Sequence, residues 1–213
     1  MSSADPVLLA PIRWDAAGTL LLTSLAVMGS PGPATISLTA AGSAWGARRC
    51  AAYLAGIITG TAAVLVAVAA GITATLLAVP WLRPVLLAAS AAYILRLAYH
   101  IATAPPATAE AAAGNPPSLA GGMLLAAANP KAWLAISAVY ASTRLAASPV
   151  ADAVTKTLAL TLMIILICSA WLLAGASLAP VLRDPRRSRI TNLTLAVVLV
   201  VATGVAVIHQ FVR

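Results

Sequence analysis

The sequence predicts an all-α integral membrane protein, with six transmembrane helices forming two inverted three-helix repeats, each with a broken first helix. Three observations predict it. With 62% hydrophobic residues, 8% charged and a mean hydropathy of +0.98, the 213-residue chain lacks the polar surface that keeps a domain dissolved in water. Its apolar residues fall into six stretches of the roughly 20 residues needed to bridge about 30 Å of hydrocarbon. Inside the first and fourth stretches lie Pro31-Gly32-Pro33 and Asn129-Pro130-Lys131. Proline removes a backbone donor and glycine loosens the helix, so each triplet breaks its span.

The spans follow in order. Residues 16–41 form the first, interrupted by Pro-Gly-Pro, and 51–79 the second, without a charged side chain. The third, 84–102, carries Arg96 and His100, and the fourth, 118–143, carries Lys131 as its one charge. Residues 157–180 and 190–211 give a fifth and a sixth, both free of formal charge. Residues 103–117, with Pro105-Pro106, Glu110 and Asn115-Pro116-Pro117, read as the linker between halves 16–102 and 118–211 of a single domain, 1–213. Asp5, Pro6, Pro11, Arg13 and Asp15 precede a full-length span, unlike the basic start and short core of a signal peptide, so no cleavage is expected.

A net charge of +8 raises the question of nucleic acid, but the basic residues lie mostly at span ends, so no nucleic-acid partner is expected. Arg48, Arg49, Arg96, Arg183, Arg186, Arg187 and Arg189 fall on one side, and Arg13, Arg83, Arg144, Lys156 and Arg213 on the other. The denser side is read as cytoplasmic, which leaves both termini outside. Cys50 and Cys168 have no metal or redox spacing and read as small packing residues.

Three spans per half send the second half into the membrane the opposite way round, the inverted repeat that many secondary transporters use. The internal match is short: Pro33-Ala-Thr-Ile-Ser-Leu against Pro130-Lys-Ala-Trp-Leu-Ala. In such repeats the broken helices meet near the midplane, where helix ends and freed carbonyls bind substrate and coupling ion.

Ser30-Pro31-Gly32-Pro33-Ala34 followed by Gly42-Ser-Ala-Trp-Gly46-Ala-Arg48-Arg49 resembles the N-terminal signature of the LysE/RhtB superfamily of amino-acid exporters. Ala91-Ala92-Tyr93-Ile94-Leu95-Arg96-Leu97-Ala98 is similar to its third-span motif, and Gly121-Gly122 through Asn129-Pro130-Lys131-Ala132-Trp133-Leu134 to its fourth. The motifs keep order and spacing over roughly residues 20–211. The resemblance implies proton-driven export of amino acids or related small metabolites across a bacterial cytoplasmic membrane, without ATP or a bound cofactor. Two departures stand out. Family members often carry an aspartate after the second-span glycine pattern, where Gly56-Ile-Ile-Thr-Gly60 is followed here by Thr61; and in place of a Pro-Gln-Phe-like end this chain runs Ala138-Val139-Tyr140-Ala141.

No carboxylate falls in a predicted span: Asp5, Asp15, Glu110, Asp152 and Asp184 all lie outside. An intramembrane acid is the ordinary proton relay. Asp15 or Asp152 at span entrances, or His100 and His209, stand as substitutes, and solvated span ends are their plainer reading. Lys131 is the leading charged candidate, since a lysine near the bilayer centre costs about 2.5–3.5 kcal/mol unless it faces a polar cavity or freed carbonyls. The other reading has it snorkel to the interface. A cavity with Lys131 and no acid ranks neutral amino acids or an anionic metabolite above cationic ones.

Asn129 offers amide donors and a carbonyl to the opened backbone or to a ligand, or else caps the helix that Pro130 begins. Ser30, Thr35 and Thr39 offer hydroxyls beside the first break, or bond their own backbone. Trp133 and Tyr140 flank the second break, as cavity lining or as packing. The candidate substrate-binding set is therefore Ser30, Pro31, Gly32, Pro33, Thr35, Asn129, Pro130, Lys131 and Trp133. Gly56 and Gly60 share a helix face and allow close helix approach. Trp14, Trp45, Trp81, Tyr53 and Tyr99 fall near span ends, where interfacial aromatics belong. No motif has the spacing of a catalytic triad, a metal site or a phosphate loop, so an enzyme is not expected; an intramembrane enzyme acting on lipid or isoprenoid, or a non-transporting membrane scaffold subunit, is the alternative reading. The expected partners are a small-molecule substrate and the lipid bilayer, and small-residue faces are compatible with a homodimer.

Overall fold

The computed structural model describes residues 13–71, 115–178 and 184–211, with isolated positions between 92 and 103. Among the described residues there are seven helices and no strand: α1 (Trp14–Met28), α2 (Pro33–Trp45), α3 (Ala51–Ala69), α4 (Leu119–Ala127), α5 (Pro130–Ser142), α6 (Pro149–Leu178) and α7 (Pro185–Phe211). Two of them, α3 and α6, are long and apolar enough to cross a membrane alone, and the count rises to four if α1 with α2 and α4 with α5 each form one bent span. The bends are 68° and 61°. The chain is therefore a helical membrane protein. Most of the third span, the Pro105-Pro106 and Glu110 part of the linker, Arg96, His100 and Trp81 lie outside the described residues.

Proline sets both restarts. Pro33 and Pro130 stand at the first positions of α2 and α5, where the missing N–H removes no intrahelical bond and the fixed φ suits a helix. At its far end α2 stops on Gly46, whose φ of 77° is the left-handed conformation that glycine adopts freely. The helix of the fifth expected span, α6, begins eight residues before the expected 157, at Pro149, and so takes in Asp152 and Lys156.

Apolar residues cover all sides of the long helices. Leu160, Ile164 and Leu172 of α6 are buried, while Leu158, Leu162, Leu166 and Leu173 on the same helix are exposed, the pattern of a helix whose outer face meets lipid. Within the bundle α3 packs on α4 and α2 on α6, with further contacts of α1 with α5 and α6, of α3 with α5 and α6, and of α2 with α4 and α7. Glycine makes the two tightest crossings possible. A β-carbon on Gly56 would stand 2.1 Å from the Leu119 carbonyl oxygen, and one on Gly122 of the facing helix 2.5 Å from that of Tyr53. Gly42 and Gly175 do the same between α2 and α6, against Leu172 and Thr39.

The aromatics divide. Trp14 and Tyr99 are exposed as interfacial residues would be, but Tyr53 is buried, 2.5 Å from the Ser37 hydroxyl, tying α3 to α2. Its hydroxyl finds a side-chain partner inside the bundle, so it does not serve the interface.

Candidate functional site

At the first break, residues 29–32, three carbonyls lose the amides that would have continued the helix, and in an apolar surrounding each needs a donor. The Trp171 indole Nε1 on α6 donates to the Gly29 carbonyl at 3.1 Å. The Lys131 ammonium donates to the Ser30 carbonyl and, at 3.0 Å, to the Pro31 carbonyl. The chain enters α2 through Gly32, whose N–H donates to Thr35 Oγ1 at 2.8 Å while the Thr35 hydroxyl donates to the Gly32 carbonyl at 3.1 Å. Gly32 is extended, with φ −169°, so conformational freedom is not its reason. A β-carbon there would lie 2.5 Å from Lys131 Cδ, so glycine is needed for the lysine stem to lie across the break.

The second break satisfies itself locally. Asn129 Oδ1 accepts from the Lys131 amide at 3.1 Å, capping α5, and the Asn129 carbonyl accepts from the amides of Ala132 and Trp133. The Trp133 indole reaches back to the Ala127 carbonyl at 2.9 Å, closing the end of α4. The cap on Asn129 engages its side-chain carbonyl oxygen, and the amide group of the same side chain is the donor it could offer a ligand.

Between the breaks lies a cavity of about 60 Å³. Gly32 and Thr35 come to it from the first break, Asn129 and Lys131 from the second, Thr61 from α3, and Ile164, Ile167 and Cys168 from α6. Of the nine sequence candidates these four line the cavity. Ser30 and Pro31 enter through their carbonyls, Pro33 and Pro130 start the helices beside it, and Trp133 caps α4 outside it. The hydroxyls of Ser30, Thr39 and Thr61 donate to the carbonyls of Val27, Thr35 and Ile57 on their own or the adjoining turn. Lys131 faces the other half of the bundle and does not snorkel outward. Trp171 was not singled out by the sequence, because a tryptophan in the middle of an apolar run has no local signal for a distant carbonyl.

The solvated-end reading of Asp152 does not survive. Asp152 and Lys156 are 9% and 4% exposed, and their side chains pair at 2.8 Å, one turn apart on α6. Asp152 Oδ1 also accepts from the amides of Leu145 at 2.6 Å and Ala146 at 3.3 Å, and Lys156 donates to the Tyr140 carbonyl at 3.0 Å with its ammonium 4.9 Å from the ring centre. The Leu145 carbonyl in turn accepts from the Arg13 amide, so the cluster fastens the ends of α1, α5 and α6. A pair of opposite charges four residues apart, near a helix N-terminus that favours the acid, makes burial tolerable where either alone would not be. Asp15, paired with Arg13, is exposed, and the side chain of His209 lies outside the described residues, as does His100.

Among the described residues no group of three or more His, Cys, Asp or Glu could hold a metal ion. No curated protein and no solved structure matches the chain. The family described as LysE type translocator matches residues 25–210, a span that includes both breaks, the cavity and the glycine crossings. That family is one of transporters and not of enzymes. The chain belongs to the LysE type translocator family.

Proposed function

We propose that the chain is a secondary active exporter of amino acids or related small metabolites in the bacterial cytoplasmic membrane, driven by the proton gradient. One observation carries the reading. Lys131, at the second break, rests on the carbonyls of the first, a hundred residues away, so two interrupted helices share a single cavity. A transporter needs such a place: α2 and α5 both begin there, and their N-termini favour a carboxylate, while freed carbonyls favour an ammonium.

The packing supports two inverted halves. Exchange α1, α2 and α3 for α4, α5 and α6, and each helix pair within that set maps onto another that is also in contact: α3·α4 onto α1·α6, α2·α6 onto α3·α5, α1·α5 onto α2·α4, and α3·α6 onto itself. Six spans, with the loops after the odd-numbered spans in the cytoplasm, complete this reading. At about 60 Å³ the cavity has room for a few waters, whereas ligand sites run to roughly 300 Å³ and more, so loading requires the halves to rock apart. Both breaks come from one chain, so a homodimer is compatible with transport and unnecessary for it.

Overproduction of the protein is expected to relieve growth inhibition by toxic neutral amino acids and to lower their intracellular pools. Lys131→Ala is expected to abolish the relief. Rescue at the wild-type level by Lys131→Ala would remove the site from the mechanism, and rescue by a cationic amino acid alone would overturn the substrate ranking.

A further inference from the structure

Among the described residues the cavity holds a cation and no anion. Lys131 is its one charged side chain, Cys168 is the other titratable group among the described lining residues, and no carboxylate faces it from α2, α3, α5 or α6. Of the described acids, Asp15 and Asp184 are exposed, and Asp152 sits twelve residues before Ile164 on α6, roughly 18 Å away at about 1.5 Å per residue. Between them Leu160 is buried and apolar, and the Asp152 carboxylate is already engaged by Lys156 and the amides of Leu145 and Ala146. Among the described residues, a proton-driven cycle through this site has one titratable cation to use.

We propose that Lys131 is itself the proton carrier, and that its ammonium and the ammonium of the substrate take turns on the carbonyls of Ser30 and Pro31. This rests on the export reading above. Occupancy is exclusive because the lysine stem lies against Gly32, where even one added carbon would collide, and the remaining room is about 60 Å³. With the site open to the cytoplasm, the arriving substrate ammonium takes the two carbonyls, and Lys131 Nζ gives one proton to cytoplasmic water and becomes a neutral amine. The substrate carboxylate meets the Asn129 amide and the N-terminus of α5. After the halves rock, the substrate leaves, the amine takes one proton from outside water, and the ammonium returns to the carbonyls. One substrate moves out for each proton in, and no other reactant is needed. The substrate class follows: an ammonium is required, and an anionic metabolite without one leaves Lys131 in place and is not carried.

Lysine suits this role because its charge is removable at a buried site, whereas a guanidinium keeps its proton. Wild type, Lys131→Gln and Lys131→Arg would be reconstituted in proteoliposomes and given ¹⁴C-labelled neutral L-amino acids. Two rates are compared: uptake driven by an imposed pH gradient, and exchange against internal unlabelled amino acid without a gradient. Wild type is expected to show both. Lys131→Gln, with the carbonyls vacant, is expected to show slowed exchange and no response to the gradient, and Lys131→Arg, a permanent plug, to lose both. Gradient-driven uptake by either variant would overturn the proposal, as would loss of exchange in Lys131→Gln that remains monodisperse. If Lys131→Gln does not fold, Lys131→Arg decides alone. Absence of exchange by wild type for every amino acid would overturn the export reading itself, a result distinct from the others.

Discussion

Lys131 is held by backbone and not by a countercharge. Its ammonium satisfies two carbonyls that the first break exposes, and those carbonyls in turn offset the cost of burying the ammonium. Gly32 makes the contact possible. In Gly32→Ala the new carbon meets the flexible end of a side chain and not backbone, so the lysine moves and the fold stays. The expected result is loss of export with a stability cost of only about 1–2 kcal/mol, read from transport rate and thermal unfolding in detergent. A variant that exports at the wild-type rate would separate Lys131 from those carbonyls functionally. The residues of both breaks are legible in the sequence, because proline and glycine announce a broken helix by themselves. The bond partners are not. Nothing local in Trp171 or Lys131 says that each donates to a carbonyl a hundred or more positions away.

At the scale of helices, the sequence marks where apolar runs start and stop, and it goes astray where charge hides inside one. A hydropathy reading starts the fifth span only after Lys156, but Asp152 and Lys156 neutralise each other and α6 runs through them from Pro149. Single charge removal should therefore be costly. Asp152→Asn keeps an oxygen for the amides of Leu145 and Ala146 but leaves Lys156 without a counterion, at an expected cost of about 3–5 kcal/mol. Adding Lys156→Met should recover a large part of it. Unfolding midpoints of the three proteins in one detergent check this, and a harmless Asp152→Asn would return the pair to the solvated surface. The glycine crossings are legible as spacing in the case of Gly56 and Gly60, but their partner, Gly122 on α4, emerges only when the helices are packed.

At the scale of the molecule, the account is a bundle in which one broken helix from each half faces the other across a small chamber. The apolar composition already implies the membrane, and the proline triplets already imply two breaks. That the breaks share one cavity follows from the packing of α1 on α5 and of α2 on α4, which no local pattern encodes. Ala34 and Ala132 both line that cavity, one beside each break. In a background carrying Cys50→Ser and Cys168→Ala, Ala34→Cys and Ala132→Cys would be treated with a membrane-impermeant thiol reagent from each side in turn, with and without neutral amino acid. The account predicts that both positions react from either side and that amino acid protects both alike; positions that react from opposite sides only, or of which amino acid protects one and not the other, would contradict it.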